Sequence, residues 1–243
     1  MSKVSSLGKA LLGYAVPVVI VIGLIAMFAW LGSKQSDPTP GNLAAEITSN
    51  EWMHGPLDGK LTIVEYSDFQ CPTCAAFHPI TERLVDDYGD QITFVYRQFP
   101  LQELHRNALL ASAASEAAGL QGKFWEMYDK LFDNQTAWSS SSDALSIFTT
   151  YAQDVGIDTE QFLVDIESSA VRDAITSDYD SGIASGVAGT PTFYINGVQL
   201  QELPRGYEAF KAVVDAKLTE LGMIAITEPA TEIPDTSSEE TSE

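Results

Sequence analysis

The sequence predicts an α/β domain preceded by one transmembrane helix. Three observations carry this: a β-branched run at Leu61–Tyr66 that leads straight into residues at helical spacing, a strand–turn–strand pattern at Thr192–Leu200, and a long helix-rich stretch between them. In chain order, residues 1–9 carry Lys3 and Lys9 and precede an uncharged run from Ala10 to Gly32. At about 1.5 Å per residue that run reaches roughly 34 Å, enough to cross a bilayer. Only Lys34 follows closely, so the positive-inside bias expects residues 1–9 in the cytoplasm and the domain outside it. A cleaved signal peptide is the rival reading, but the run is long for one and no clear small-x-small site precedes Lys34. No cysteine lies near residue 32 to take a lipid.

Residues 33–50, with Pro38, Pro40 and Gly41, read as a linker, and the domain is expected over 51–223. Leu61–Tyr66 is its first strand, and Phe77, Thr81, Leu84 and Tyr88 fall on one helical stripe with Cys74. Asn107–Leu120 is alanine-rich and helical by propensity. Phe124, Met127, Tyr128 and Leu131 form the apolar stripe of a second helix. A third starts after Ser142 and ends near Gly156, a fourth takes Asp158 or Thr159 as its cap, and helices continue towards Ser185. Thr192–Ile195 then reads as a strand, Asn196-Gly197 as a tight turn, and Val198–Leu200 as the returning strand. The last helix, Tyr207–Leu221, packs Phe210, Val213, Val214 and Leu218 on one side. Residues 224–243 hold six acidic side chains and no basic one, a composition expected to stay disordered.

Over the whole chain 13 basic residues face 34 acidic ones, a net charge of −21, which argues against nucleic acid as a partner.

The chemistry lies in Cys71-Pro72-Thr73-Cys74, which holds both cysteines of the chain. The motif falls where a strand passes into a helix. Unpaired amides and the positive end of the helix dipole there favour a thiolate. A free cysteine titrates at about 8.5, and such settings bring it to roughly 3.5–7.5. Cys71 is therefore the expected nucleophile. Cys74, one turn further in and on the apolar stripe, is the expected resolving thiol, and Pro72 suits a first helical turn because it has no amide to leave unpaired. Two bland readings compete. Zinc needs about four ligands, and beyond the two cysteines only His54, His78 and His105 are candidates; His78 has no second ligand in view and reads as a packed helix residue. A purely structural disulfide across so short a loop closes little chain and stabilises little. Pro79 is expected to kink the helix, and Asp68 reads as a turn or cap residue.

Four segments in order, Glu65–Cys74, Phe94–Leu101, Gly122–Met127 and Gly189–Phe193, resemble the DsbA family of thiol:disulfide oxidoreductases in the thioredoxin superfamily, most closely its membrane-anchored or lipid-anchored bacterial members. The resemblance implies a thioredoxin-like fold with a helical insertion, here about 103–185. It also implies a cis Thr190–Pro191 bond lying against the cysteines, and a redox-active Cys71–Cys74 disulfide with Pro72-Thr73 as its dipeptide. Glu65 matches a buried acidic residue that moves protons to or from Cys74; a strand-end glutamate facing solvent is the alternative. Thr73 stands where the best-known members carry a histidine, so Cys71 is expected to be less acidic and the enzyme less oxidising. The implied activity is donation of the disulfide to reduced or unfolded secreted proteins through a mixed disulfide, with reoxidation by a membrane DsbB- or VKOR-type oxidase. No cofactor and no metal is implied. A reductase or isomerase of the same fold is the nearest alternative, although residues 33–50 are too short for a dimerisation module. A redox-inert binding or chaperone module is the rival from another class, and the intact C-x-x-C speaks against it.

Overall fold

In the computed structural model, which describes residues 41–222, Trp52–His54 (β1), Leu61–Ser67 (β2), Ile92–Gln98 (β3), Thr192–Ile195 (β4) and Val198–Gln199 (β5) form one mixed sheet in the order β1-β3-β2-β4-β5. β2 and β3 are parallel, from Leu61 opposite Ile92 to Ser67 opposite Gln98. β1 on β3, β4 on β2 and β5 on β4 are antiparallel. Between β4 and β5, Asn196 and Gly197 take φ of 48° and 78°, the positive values a two-residue hairpin turn of the type I′ class demands.

Helix α1 (Pro72–Tyr88) joins β2 to β3. Six helices fill the connection from β3 to β4: α2 (Ala108–Leu120), α3 (Phe124–Asp133), α4 (Gln135–Trp138), α5 (Ala144–Asp154), α6 (Thr159–Ile166) and α7 (Ser169–Ser185). The last helix is α8 (Tyr207–Glu220). Asp158 caps α6, its carboxylate accepting from the amides of Glu160 and Gln161. Strand alternation sends side chains into two cores. Ile63, Phe94, Tyr96, Phe193 and Ile195 pack with Phe77 and Leu84 of α1, with Phe210 and Val214 of α8, and with the helices that follow β3. Val64, Tyr66, Val95 and Tyr194 pack on the other face with Phe99 and Val187. There α7 comes close to the sheet at Gly182, where an added Cβ would lie 2.6 Å from the Phe99 ring and 3.1 Å from that of Tyr66.

Three differences from the sequence reading have physical causes. β3 was expected only as part of a motif; it is buried at every position, so it shows no alternation to mark it as a strand. β1 and α4, of three and four residues, are too short for a periodic signal. Residues 41–50, assigned to the linker, are in part tied to the domain. Asn42 bridges to Val198, the Leu43 amide donates to the Gly197 carbonyl, and the buried Arg97 guanidinium donates to the carbonyls of Ala45 and Glu46 and to the Glu51 carboxylate. A Pro- and Gly-containing composition reveals nothing of such long-range partners. Among the described residues no helix is long and apolar enough to cross a membrane. The expected span Ala10–Gly32 and the acidic segment 224–243 lie outside the described residues.

Candidate active site

Cys71 is the N-cap residue of α1, with extended backbone at φ −71° and ψ 122°, and Pro72 opens the helix behind it. The sequence reading put Cys71 inside the first turn; the cap position, one residue earlier, still leaves the first amides of the helix facing it. The loop leading to it is held from two sides. Asp68 is fully buried and accepts from the amides of Gln70 (2.7 Å) and Leu101 (2.8 Å), with His105 Nδ1 also at 2.7 Å, while its own carbonyl accepts from the Cys71 amide at 2.9 Å. It is a turn residue, as expected, and more than that: it ties the loop to the segment after β3. Gln135 of α4 donates to the carbonyls of Phe69 (2.7 Å) and Cys71 (3.0 Å), and Gln70 donates to the Ser139 carbonyl while accepting from the Asn107 amide. Sequence reasoning missed Gln135. A lone glutamine beyond an apolar stripe carries no motif, and only the packing of the helices against the loop reveals its role.

Thr190 and Pro191 come to the same point. Their peptide bond is cis, and the Thr190 carbonyl lies 3.3 Å from Cys71 Sγ. That carbonyl can accept only from the thiol form. The Thr190 hydroxyl, buried and otherwise without a partner, can donate to the thiolate. The balance favours the anion: the Cys71 thiol is brought down to about 5, first by the Cys74 thiol donating to it, with the amides of Cys74 and Thr73 and the Thr190 side chain adding to this against the opposing cost of burial. Cys71 is therefore acidic without an imidazolium at position 73. Cys74 is fully enclosed and its thiol is pushed well up, chiefly by burial and further by the neighbouring Cys71 and Glu65. Both cysteines are free thiols here. The two thiols thus differ in the sense expected of a nucleophile and a partner that stays protonated.

Glu65 lies in the middle of the sheet, opposite Tyr96 of β3 and Phe193 of β4, and is 2% exposed, so the solvent-facing alternative does not hold. One carboxylate oxygen accepts from Ser67 Oγ at 2.7 Å; the other is buried with no partner. Burial raises its carboxyl to about 7, with Cys71 adding to the rise and Ser67 and His78 working against it. Ser67 is a second residue the sequence did not single out; the alternation that places it on the same strand face as Glu65 was legible.

His78, expected as a structural residue with no second ligand, is buried but meets acidic groups from two helices. Its Nε2 lies 3.1 Å from Asp129 Oδ1 of α3 and 3.7 Å from Glu82 Oε2 of α1, and its Nδ1 lies 3.8 Å from Asp133 Oδ1. Neither cysteine belongs to this group. The sequence could not bring α3 to α1, which is why the acidic partners went unseen.

The chain can be set beside known proteins. Among curated relatives, the Na(+)/H(+) antiporter NhaA 1 of Mycolicibacterium vanbaalenii is 39% identical over 151 residues, which cover 60% of this chain and 23% of that protein. The chain therefore spans about a quarter of that relative's length, and transport is a property of the longer protein's name. Among solved structures, oxidised BdbD from Bacillus subtilis superposes with a TM-score of 0.64 at 21% identity, covering 76% of this chain and all of that one (100%). Alpha-DsbA1 of Wolbachia pipientis gives a TM-score of 0.62 at 20% identity, covering 72% and 96%. At such identities these two show a shared fold, a mixed sheet carrying a helical insertion as the DsbA resemblance implies. The family model described as thioredoxin matches residues 48–216, and with more than half of its length so matched the chain belongs to the thioredoxin family.

Proposed function

We propose that this chain is an extracytoplasmic thiol:disulfide oxidoreductase of the DsbA type that donates the Cys71–Cys74 disulfide to reduced or unfolded secreted and envelope proteins. The observation that carries the reading is the contrast between the two thiols, with Cys71 acidic at a helix N-terminus and Cys74 enclosed and protonated. In the oxidised enzyme a substrate thiolate attacks Cys71 Sγ, forming a substrate–Cys71 disulfide and expelling Cys74 as a thiolate. That anion is unfavourable where Cys74 sits, so it takes a proton. Glu65, raised to about 7 and within electrostatic reach of Cys74, supplies the proton. A second substrate thiolate then attacks the substrate sulfur, and Cys71 departs as a stable thiolate. The substrate has lost two electrons as its disulfide forms, and the enzyme pair has gained them. Thr190 and Pro191 border the sulfur that reacts, where the Thr190 carbonyl can pair with an extended substrate segment.

Return of the pair to the disulfide requires an oxidant, and a membrane oxidase of the DsbB or VKOR type is the proposed one. Ala10–Gly32 would hold the N-terminus in the cytoplasm and the domain outside. A thiolate as favourable as that of Cys71 stabilises the reduced pair and makes the disulfide a strong oxidant. The test is the reduction potential against glutathione, together with oxidative refolding of a reduced secreted protein. A value above about −200 mV and catalysed refolding are expected; a potential near the roughly −270 mV of thioredoxin would replace this reading with that of a reductase.

A further inference from the structure

His78 stands one helical turn beyond Cys74 and is 4% exposed, yet it faces a group of carboxylates that outnumber it. His78, Glu82 and Asp129 each offer one ligand atom, and these three atoms all lie within 4.8 Å of one another. Behind the ring, Asp133 Oδ1 lies 3.8 Å from Nδ1. Even a fully protonated His78 leaves three carboxylates against one positive charge. Among the described residues none of the three is paired with a lysine or arginine; the nearby Lys130 pairs with Asp154 instead, at 2.8 Å. A plain imidazole–carboxylate hydrogen bond accounts for Asp129 but leaves Glu82 and Asp133 gathered at the same ring without a partner of opposite charge.

We propose that His78 Nε2, Glu82 Oε2 and Asp129 Oδ1 bind a divalent cation of the zinc class, with water completing its coordination. The donor set, one imidazole nitrogen and two carboxylate oxygens, suits a borderline metal better than magnesium or calcium, which prefer all-oxygen sites. Bonds of about 2.1 Å at tetrahedral angles place ligand atoms about 3.4 Å apart. The observed 3.1 and 3.7 Å from the imidazole straddle that figure, so the ion fits with small side-chain adjustments. Asp133 Oδ1, 3.8 Å from Nδ1, is too far for a hydrogen bond to the ring and adds negative charge beside the site. Access is open: Glu82 and Asp129 are 49% and 46% exposed and line a cleft of about 250 Å³ with His54, Asp86 and Trp125. Glu82 belongs to α1 and Asp129 to α3, so the ion would fasten the helix that carries the cysteines to the helical insertion. The site uses neither thiol and does not depend on the disulfide chemistry.

Zinc also binds free cysteines, so the experiment uses the full chain with Cys71 and Cys74 oxidised and all metal removed by chelation. Calorimetric titration with zinc chloride is expected to show one saturable site per chain and a raised melting temperature, with magnesium chloride giving neither. His78→Gln should abolish the site. Asp129→Asn, at a half-exposed position that does not endanger folding, should weaken it at least tenfold, and Asp133→Asn by less, since Asp133 contributes only nearby charge. Absence of a saturable zinc site in the oxidised chain, or unchanged affinity in Asp129→Asn, would overturn the proposal. Neither result bears on thiol exchange, and loss of thiol exchange would not bear on zinc.

Discussion

Removing the Cys74 thiol tests the origin of Cys71 acidity. The largest contribution to the low value at Cys71, about 5, is the hydrogen bond from Cys74. A hydrogen bond to a charged acceptor is worth about 1.5–3 kcal/mol, and about 1.4 kcal/mol changes an equilibrium tenfold. Cys74→Ala should therefore lift the Cys71 midpoint from about 5 to between about 6 and about 7. It should stop short of the roughly 8.5 of a free thiol, because the helix amides and Thr190 remain. At pH 5.5 the thiolate fraction should fall from about three-quarters to about a tenth for a midpoint of 6.5. Alkylation rates understate that loss, since a more basic thiolate is intrinsically several-fold more nucleophilic. Thiolate ultraviolet absorbance against pH is the cleaner assay. The depressed value also links to stability with a definite sign. The reduced chain gains stability over the oxidised one as pH rises from about 5 towards the unfolded thiol value, and loses that gain as pH falls through 5. An unchanged midpoint in Cys74→Ala, or a wild-type midpoint near 8.5, would refute the reasoning.

Three further outcomes follow from the same geometry. Cys71→Ser should abolish exchange, whereas Cys74→Ser, offered a disulfide-containing substrate, should accumulate mixed disulfides at Cys71 because no Cys74 thiol resolves them, visible on non-reducing gels; the opposite pattern would invert the two roles. In the oxidised protein Glu65→Gln should flatten the stability profile. Burial, the first cause of the raised carboxyl, persists when Cys71 is in a disulfide, so wild type loses stability as pH rises past the unfolded value of 4.5, and denaturant titrations at pH 4.5 and 8 would reveal a variant that lacks the decline. Gly182→Ala should cost about 1–3 kcal/mol, because Phe99 is stacked on Tyr179 at 4.6 Å and has little room to give way; thermal melts of wild type and variant measure it.

Local chemistry was legible in the sequence. A β-branched run followed by the C-x-x-C motif and an apolar stripe specified strand, active-site cap and helix, since strand and helix periods and the preference of proline for a first turn are properties of neighbouring residues. Asn196-Gly197 marked its hairpin for the same reason. The tertiary structure decided what depends on distant partners. β3 lost its signature because both its faces are covered, and residues 41–50 gained order from Arg97 and the sheet edge. The acidity of Cys71 draws on Thr190, the raised carboxyl of Glu65 comes from burial between two strands, and the acidic shell of His78 exists only because α3 packs on α1. Burial and electrostatic environment are sums over neighbours in space, and the linear order of residues specifies those neighbours only once the chain has folded.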